Sequence, residues 1–392
     1  MHCIQNYTPS TAMNKQFDFQ SQKTPAYVYD LSLLDQTLKA IQTEASFYGY
    51  QIHYALKANN NALILERIAN QGFGADCVSG NEITEAVKRG FSPQKIAFAG
   101  VGKTDEEINT ALNHSIFSFN CESLPEIEII NELAKKKQQI APIALRINPN
   151  VNANTHRYIT TGLEENKFGI NIWEIEGILE RMSELKNVRL KGLHFHIGSQ
   201  ITDLDTFKNL CNRINLLQED FYARQIIVEH INVGGGLGIN YHQPDLETIP
   251  DFKSYFKIFH DFLALRPMQK LHFELGRSVV GQMGSLLSKV IYVKKASAKS
   301  FLIIDAAMTD LIRPALYQAY HKIENISSKS QETEKYDVVG PVCESADIFA
   351  KAVDLPVSKR GDFILIRSTG AYGQVMASNY NMRDNAQVVF ID

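Results

Sequence analysis

The stretch Val228–Gly238, VEHINVGGGLG, decides the fold. An apolar, β-branched run ends in three consecutive glycines, so a buried strand runs into a turn that admits no side chains. In an open, doubly wound sheet a glycine-rich turn of this kind follows the first strand. Here it follows the seventh of eight comparable runs. The others are IHYALKAN, FGADCVS, KIAFAG, IFSFNCES, IAPIALRINP, LKGLHFHIG and LHFELGRS. Helical spacing fills the intervals at 61–71, 80–89, 104–113, 122–138, 171–184, 203–219 and 251–266, and an amphipathic helix is expected ahead of the first run at 31–49.

Strands buried on both faces read as continuous apolar runs, and their alternation with helices demands parallel pairing through crossovers. Eight repeats therefore predict an α/β protein built on a closed (β/α)8, TIM-like barrel over residues 26–276. Beyond 276 the runs VVGQMGSLLSKVIYVKKAS, KSFLIIDAA, YDVVGPVC, DFILIRSTG and NAQVVFID carry little helical periodicity, which predicts a C-terminal β domain over 277–392. Residues 1–25 are expected to join that domain. The polar stretch SSKSQETEK at 327–335 is expected to be a mobile loop.

Composition limits the partners. The chain has 392 residues, 44% of them hydrophobic, and a formal charge of −3. There is no basic surplus to neutralise a nucleic-acid backbone, so a small-molecule substrate is expected. Cys3, Cys77, Cys121, Cys211 and Cys343 are odd in number and lack C-x-x-C spacing, which predicts neither a disulfide framework nor a zinc site and suits a reducing cytoplasm. The opening residues show no basic segment followed by an apolar one, and no run approaches the roughly 18 apolar residues that span a bilayer, so neither a targeting nor a membrane segment is expected.

In barrels of this type chemistry collects at the carboxyl ends of the strands, with phosphate held after strands 7 and 8. Lys57 ends the first run, His196 the sixth, Gly234, Gly235 and Gly236 follow the seventh, and Glu274 and Arg277 close the eighth. GAYG follows at 370–373. Together these residues suit pyridoxal phosphate. A lysine partly desolvated among cations can lose a proton and attack an aldehyde. The ring of His196 can stack on a flat cofactor, Ser199 can donate to its phosphate, and bare glycine amides can approach that phosphate closely. A carboxylate at Glu274 would keep a pyridine nitrogen protonated. Each residue has a plainer reading: a solvated Lys57, a core His194, a structural Glu274–Arg277 ion pair. Metal ligation by His194 and His196 lacks a third ligand at suitable spacing, so no metal is expected.

With these motifs in place the chain resembles the fold-type III pyridoxal-phosphate-dependent decarboxylases, whose barrel is alanine-racemase-like. The resemblance runs from YVYD at 27–30 through GAYG and SNYNMR. YALKAN, the Ser79–Glu82 segment, HIGSQ, GGG, E-x-G-R and GAYG are shared across the family. THRYITTGLEENKFGI at 155–170, DLIRPALYQAYH at 310–321 and GPVCESAD at 340–347 resemble its diaminopimelate-acting branch. The resemblance implies that Lys57 bonds the cofactor aldehyde, that His196 stacks on the ring and that Glu274 meets its nitrogen. It places Asp76, Ser199, Gly234, Gly235, Gly236, Gly276, Arg277 and Tyr372 around the cofactor. Arg277, Arg313, Tyr317, Glu344 and Tyr372 would meet the substrate, and Cys343 would donate a proton. Cys343 and Glu344 would enter the site of a second subunit, which implies a homodimer. Leu275 and Arg157 stand where the family commonly has proline.

A diaminopimelate substrate carries an ammonium and a carboxylate at its far end, and Arg313 with Glu344 supplies both complementary charges. Ornithine, arginine or lysine would leave Arg313 without its partner. A non-catalytic pyridoxal-phosphate carrier is the reading from another class, and it has no use for the β domain or the Cys343 region.

Overall fold

Eight short strands close on themselves because the first pairs with the last. In the computed structural model, which describes residues 17–151 and 167–392, strand β1 (Ala26–Asp30) and helix α1 (Leu31–Tyr48) precede them. The barrel strands are β2 (Gln51–Ala55), β3 (Gly74–Cys77), β4 (Ile96–Phe98), β5 (Ser118–Cys121), β6 (Ala141–Arg146), β7 (Val188–His194), β8 (His230–Asn232) and β9 (Lys270–Leu275). All pair in parallel with their sequence neighbours, and β9 returns to β2 with His53 opposite Glu274. The eight apolar runs are these eight strands. Their crossovers carry α2 (Ala62–Asn70), α3 (Gly80–Lys88), α4 (Asp105–His114), α5 (Leu124–Lys136), α6 (Ile175–Met182), α7 (Asp205–Ala223) and α8 (Phe252–Phe262). No described helix is long and apolar enough to cross a membrane.

Helix starts follow local chemistry. Ser79 caps α3 by accepting from the Glu82 amide at 3.1 Å, while Glu82 accepts from the Val78 amide at 2.7 Å. The Ser79–Glu82 segment is thus a helix cap. Burial raises the Glu82 carboxyl to about 6.

The inside of the barrel departs from the usual filling of Val, Ile and Leu. At its foot lie the buried rings of His53, His230 and His272. His53 Nδ1 is 2.9 Å from the Lys95 carbonyl oxygen, which can only accept, so that nitrogen carries the hydrogen. In neutral His53 the other nitrogen then accepts, and His272 Nδ1 donates to it at 2.8 Å. Phe117 stacks on His272 with ring centroids 4.9 Å apart. Glycines make the room: a Cβ on Gly192 would sit 2.1 Å from His230 Nε2, and one on Gly74 would sit 2.5 Å from His53 Nδ1. The three rings border a cavity of about 870 Å³ at the amino ends of the strands.

The second unit is a sheet of β10 (Gly284–Lys295), β11 (Ser300–Ile304), β12 (Ile323–Asn325), β13 (Thr333–Val339), β14 (Ile348–Pro356), β15 (Phe363–Ile366) and β16 (Gln387–Ile391). Its order is β12-β15-β10-β11-β13-β14, and β1 joins it antiparallel to β10 and parallel to β16. Phe17 and Phe19 pack on its cluster of Val28, Leu287, Phe363 and Leu365. The barrel unit comprises 37–238 and 250–279, and the other comprises the chain up to 36, 239–249 and 280–392.

Two sequence expectations change. The boundary at 26 gives β1 to the barrel, whereas β1 belongs to the sheet, because a short apolar strand carries no mark of which sheet it completes. The expected loop at 327–335 is largely bonded: Asn325 Oδ1 accepts from the Ser327 and Ser328 amides, and Thr333–Lys335 pair with Asp354–Pro356. The loop therefore spans 327–332, and Thr333–Lys335 already belong to β13.

Burial lowers the proton affinity of all three foot histidines, His230 to about 3. An unfolded histidine binds its proton near pH 6.5. The stability held by neutral rings is therefore complete above that pH and lost as pH falls toward the native value. Each ring contributes a slope of at most about 1.4 kcal/mol per pH unit. Urea unfolding between pH 7 and 4.5 is expected to show this loss, and His230→Gln to flatten it by one ring's share.

Candidate active site

The carboxyl ends of β2, β3, β7, β8 and β9 bring together most of the cofactor residues read from the sequence. Lys57 lies in the short turn Leu56–Ala58 after β2, and its Nζ donates to Asp76 Oδ2 at 2.6 Å. Asp76 is fully buried on β3. Burial, then the nearby Glu274 charge, raise the Asp76 carboxyl, and Lys57 opposes them.

Glu274, near the end of β9, is held by three donors. Its Oε1 accepts from Asn120 Nδ2 at 3.0 Å and Asn232 Nδ2 at 2.8 Å, and its Oε2 accepts from His194 Nε2 at 2.9 Å. Neither β5 nor β7 neighbours β9 in the sheet, so the bonds from Asn120 and His194 cross the barrel interior. Burial alone would raise this carboxyl, but the contact and hydrogen bond with His194, and then Lys57, hold it well below the usual carboxylate range. Glu274 is therefore an ionised carboxylate in a dry place, and its acceptor capacity goes to these three residues rather than to Arg277.

Two residues past β7, His196 has its proton affinity lowered by burial, then by Arg146 and Lys57, so its ring is neutral. Its Nδ1 receives the Gly235 amide at 3.4 Å. Arg146 closes β6 and donates to Glu122 Oε1 at 2.6 Å in a buried ion pair.

The triple glycine is required by close packing. A Cβ on Gly235 would lie 2.0 Å from the Glu274 carbonyl oxygen, and one on Gly234, at φ +68°, would lie 2.4 Å from the Phe195 carbonyl oxygen. The Gly234 amide is committed to Asn232 Oδ1 at 2.9 Å, so this residue shapes the turn. Arg277, directly after Gly276 and β9, donates from Nη2 to Ser199 Oγ at 3.1 Å. Leu275 ends β9 opposite Tyr54.

The remaining candidates lie in the other unit. Arg313 opens α10 (Arg313–Tyr317) and is buried, while Tyr317 ends that helix half-buried. Cys343 and Glu344 are exposed on the turn between β13 and β14, where the Cys343 amide donates to Asn381 Oδ1 at 3.0 Å. Tyr372 takes a left-handed backbone at φ +55° between Gly370 and Gly373. The motif at 155–170 and Arg157 fall wholly or mostly outside the described residues.

The sequence reading passed over Asn120, Asn232, Arg146 and the part played by His194. Their signal was a polar side chain within a buried strand, as in IFSFNCES and VEHIN. Such residues need committed partners, but the partners are far away in sequence.

These residues fit pyridoxal phosphate. An amine sits beside a carboxylate, an ionised acid has its charge fixed, a neutral ring lies alongside, and a glycine loop with Ser199 and Arg277 can receive a phosphate.

Residues 33–281 match the family model described as pyridoxal-dependent decarboxylase, pyridoxal binding domain. A diaminopimelate decarboxylase of Bacteroides thetaiotaomicron is 59% identical over 93% of this chain and 95% of its own length. One from Neisseria meningitidis serogroup B is 42% identical over 94% and 88%. Among solved structures, the diaminopimelate decarboxylase of Helicobacter pylori complexed with L-lysine superposes with a TM-score of 0.89 at 39% identity, covering 95% of this chain and 93% of that one.

Replacing Glu274 by Leu would strand three buried donors and is expected to cost roughly 3–5 kcal/mol in urea unfolding of the apoprotein. Glu274→Gln, which keeps one acceptor, should cost less.

Proposed function

Because the chain belongs to the pyridoxal-dependent decarboxylases, we propose that it converts meso-2,6-diaminopimelate to L-lysine and CO2. The observation that carries the chemistry is the pairing of Lys57–Asp76 with a triply donated, ionised Glu274 in one barrel interior. The substrate rests on the likeness to relatives of that activity and on the Arg313 and Glu344 motifs. Bound at these residues, pyridoxal phosphate supplies an aldehyde that captures an amine and a ring that draws in the electron pair left by a departing carboxylate.

The protein does the rest. Lys57 must lose a proton to react, and Asp76, with its proton affinity raised, holds that proton 2.6 Å away. Glu274, fixed as an anion, would keep a pyridine nitrogen protonated. His196 offers a neutral face for stacking. Gly235, Gly236, Ser199 and Arg277 would take the phosphate, Gly234 shapes the turn that presents them, and the family resemblance assigns Gly276 to the cofactor and Tyr372 to both cofactor and substrate. Arg313 and Tyr317 receive the far carboxylate and Glu344 the far ammonium, leaving the near carboxylate to depart. Cys343 returns a proton to the carbon it leaves.

Cys343 and Glu344 are exposed on their own chain, which supports service in a second copy's site and hence a homodimer. A cytoplasmic setting suits a chain whose described cysteines are unpaired.

CO2 and lysine release should be measured with meso-diaminopimelate beside ornithine, arginine and lysine. Turnover of diaminopimelate alone is expected, and turnover of ornithine instead would overturn the substrate reading. Lys57→Ala should fall below detection, and Cys343→Ala should lose about 10²-fold or more in rate, the usual worth of a positioned proton donor. Mixing these two variants should raise activity well above that of either alone if sites are shared between copies.

A further inference from the structure

Arg313 is buried at 5% exposure, and its Nη1 is gripped by two acceptors. Nη1 donates to Tyr241 Oη at 2.8 Å and to His321 Nε2 at 3.0 Å. The Tyr241 ring also lies against the guanidinium, whose carbon is 5.1 Å from the ring centroid. Tyr241 and His321 meet edge to face, with centroids 5.1 Å apart and planes at 81°. These contacts set the plane of the guanidinium and the direction of its fork.

His321 is fixed from behind. Its Nδ1 lies 2.9 Å from the Arg367 carbonyl oxygen. A carbonyl only accepts, so Nδ1 bears the hydrogen and, in the neutral ring, Nε2 presents a lone pair to Arg313. Arg367 is itself anchored, donating to Glu324 Oε2 at 3.0 Å and Asp245 Oδ1 at 2.9 Å, with its amide on the Lys322 carbonyl at 2.9 Å. Tyr241 and Asp245 come from the same short segment, 239–249. When His321 is neutral, neither of these two acceptors on Nη1 carries charge, so their contribution to the grip is one of direction.

We infer that Tyr241 and His321 are specificity-determining positioning residues, which hold the Arg313 fork so that it reads the substrate's far carboxylate in two parallel hydrogen bonds. The inference rests on the role proposed above for Arg313. A guanidinium on a flexible stem recognises any anion, whereas one with a fixed plane recognises a carboxylate in one orientation. Preorganisation also spares the ordering entropy that a loose arginine would lose on binding.

The test uses the holoenzyme and two small ligands, L-lysine and cadaverine, which differ only by the carboxylate Arg313 would read. Calorimetry should find wild-type protein binding L-lysine more tightly. Tyr241→Phe and His321→Leu should each weaken L-lysine binding about ten-fold, the worth of one hydrogen bond to a charged group. Cadaverine binding should shift by less than two-fold, and KM for meso-diaminopimelate should rise more than kcat falls. His321→Gln, whose amide oxygen can replace Nε2 as acceptor, should recover most of the loss. If His321→Leu does not fold, Tyr241→Phe carries the test, since it removes a single hydroxyl. Equal losses for both ligands, or no loss for either, would overturn the inference and leave the Arg313 role standing. Equal wild-type affinity for both ligands would overturn the Arg313 role and the inference together.

Discussion

A charged carboxylate buried inside a barrel is the constraint on which the rest of the active unit depends. Glu274 stays ionised because Asn120, Asn232 and His194 all turn their donors to it from three different strands, with the Lys57 charge nearby. An isolated carboxylate in such a place would take up a proton. The arrangement commits the interior of β5, β7, β8 and β9 to polar residues where a barrel would otherwise be packed with branched aliphatics. It also leaves the opposite edges of two partners, Asn120 Oδ1 and His194 Nδ1, without a protein hydrogen bond. Local satisfaction is traded for a fixed negative charge.

Polar side chains inside a barrel take up space differently from aliphatic ones, and the glycines record this. Gly74 and Gly192 yield their volume to His53 and His230 at the foot, while Gly234 and Gly235 yield theirs to the Phe195 and Glu274 carbonyls near the top. The same substitution serves two ends. At the foot it seats neutral imidazoles in a fixed tautomeric order, and near the top it draws the loop after β8 over the strand that carries Glu274. Asn232 ties that loop to the buried charge by donating to Glu274 and accepting from the Gly234 amide.

The periodicities that made the barrel legible could not make its interior legible. Eight apolar runs separated by helical spacing identify the strands because burial on both faces leaves a continuous signal. The strand ends are legible as well, since Lys57, Glu274 and the glycines are residue types that plain packing does not favour there. Asn120 and Asn232 were not, because a single polar residue in an apolar run looks the same whether it is tolerated or required. What decides is a partner 154 residues away for Asn120 and 42 for Asn232, set by barrel closure. That β1 and residues 239–249 go with the β-sheet unit is hidden for the same reason: pairing partners, not local composition, determine it.

Closure also lets one buried charge tune another. Asp76 and Glu274 face a common interior, yet they are biased in opposite directions. Glu274 has three donors and keeps its charge, whereas Asp76 is met by Lys57 at Oδ2 and, among the described residues, by no hydrogen bond at Oδ1. The charge secured at Glu274 therefore adds to burial in raising the proton affinity of Asp76. Two like charges in one dry space cannot both be favoured, and the better solvated one wins. In the reaction proposed above, Asp76 is the acceptor nearest the Lys57 amine, and the donors on Glu274 would bear on Lys57 through Asp76 without touching it.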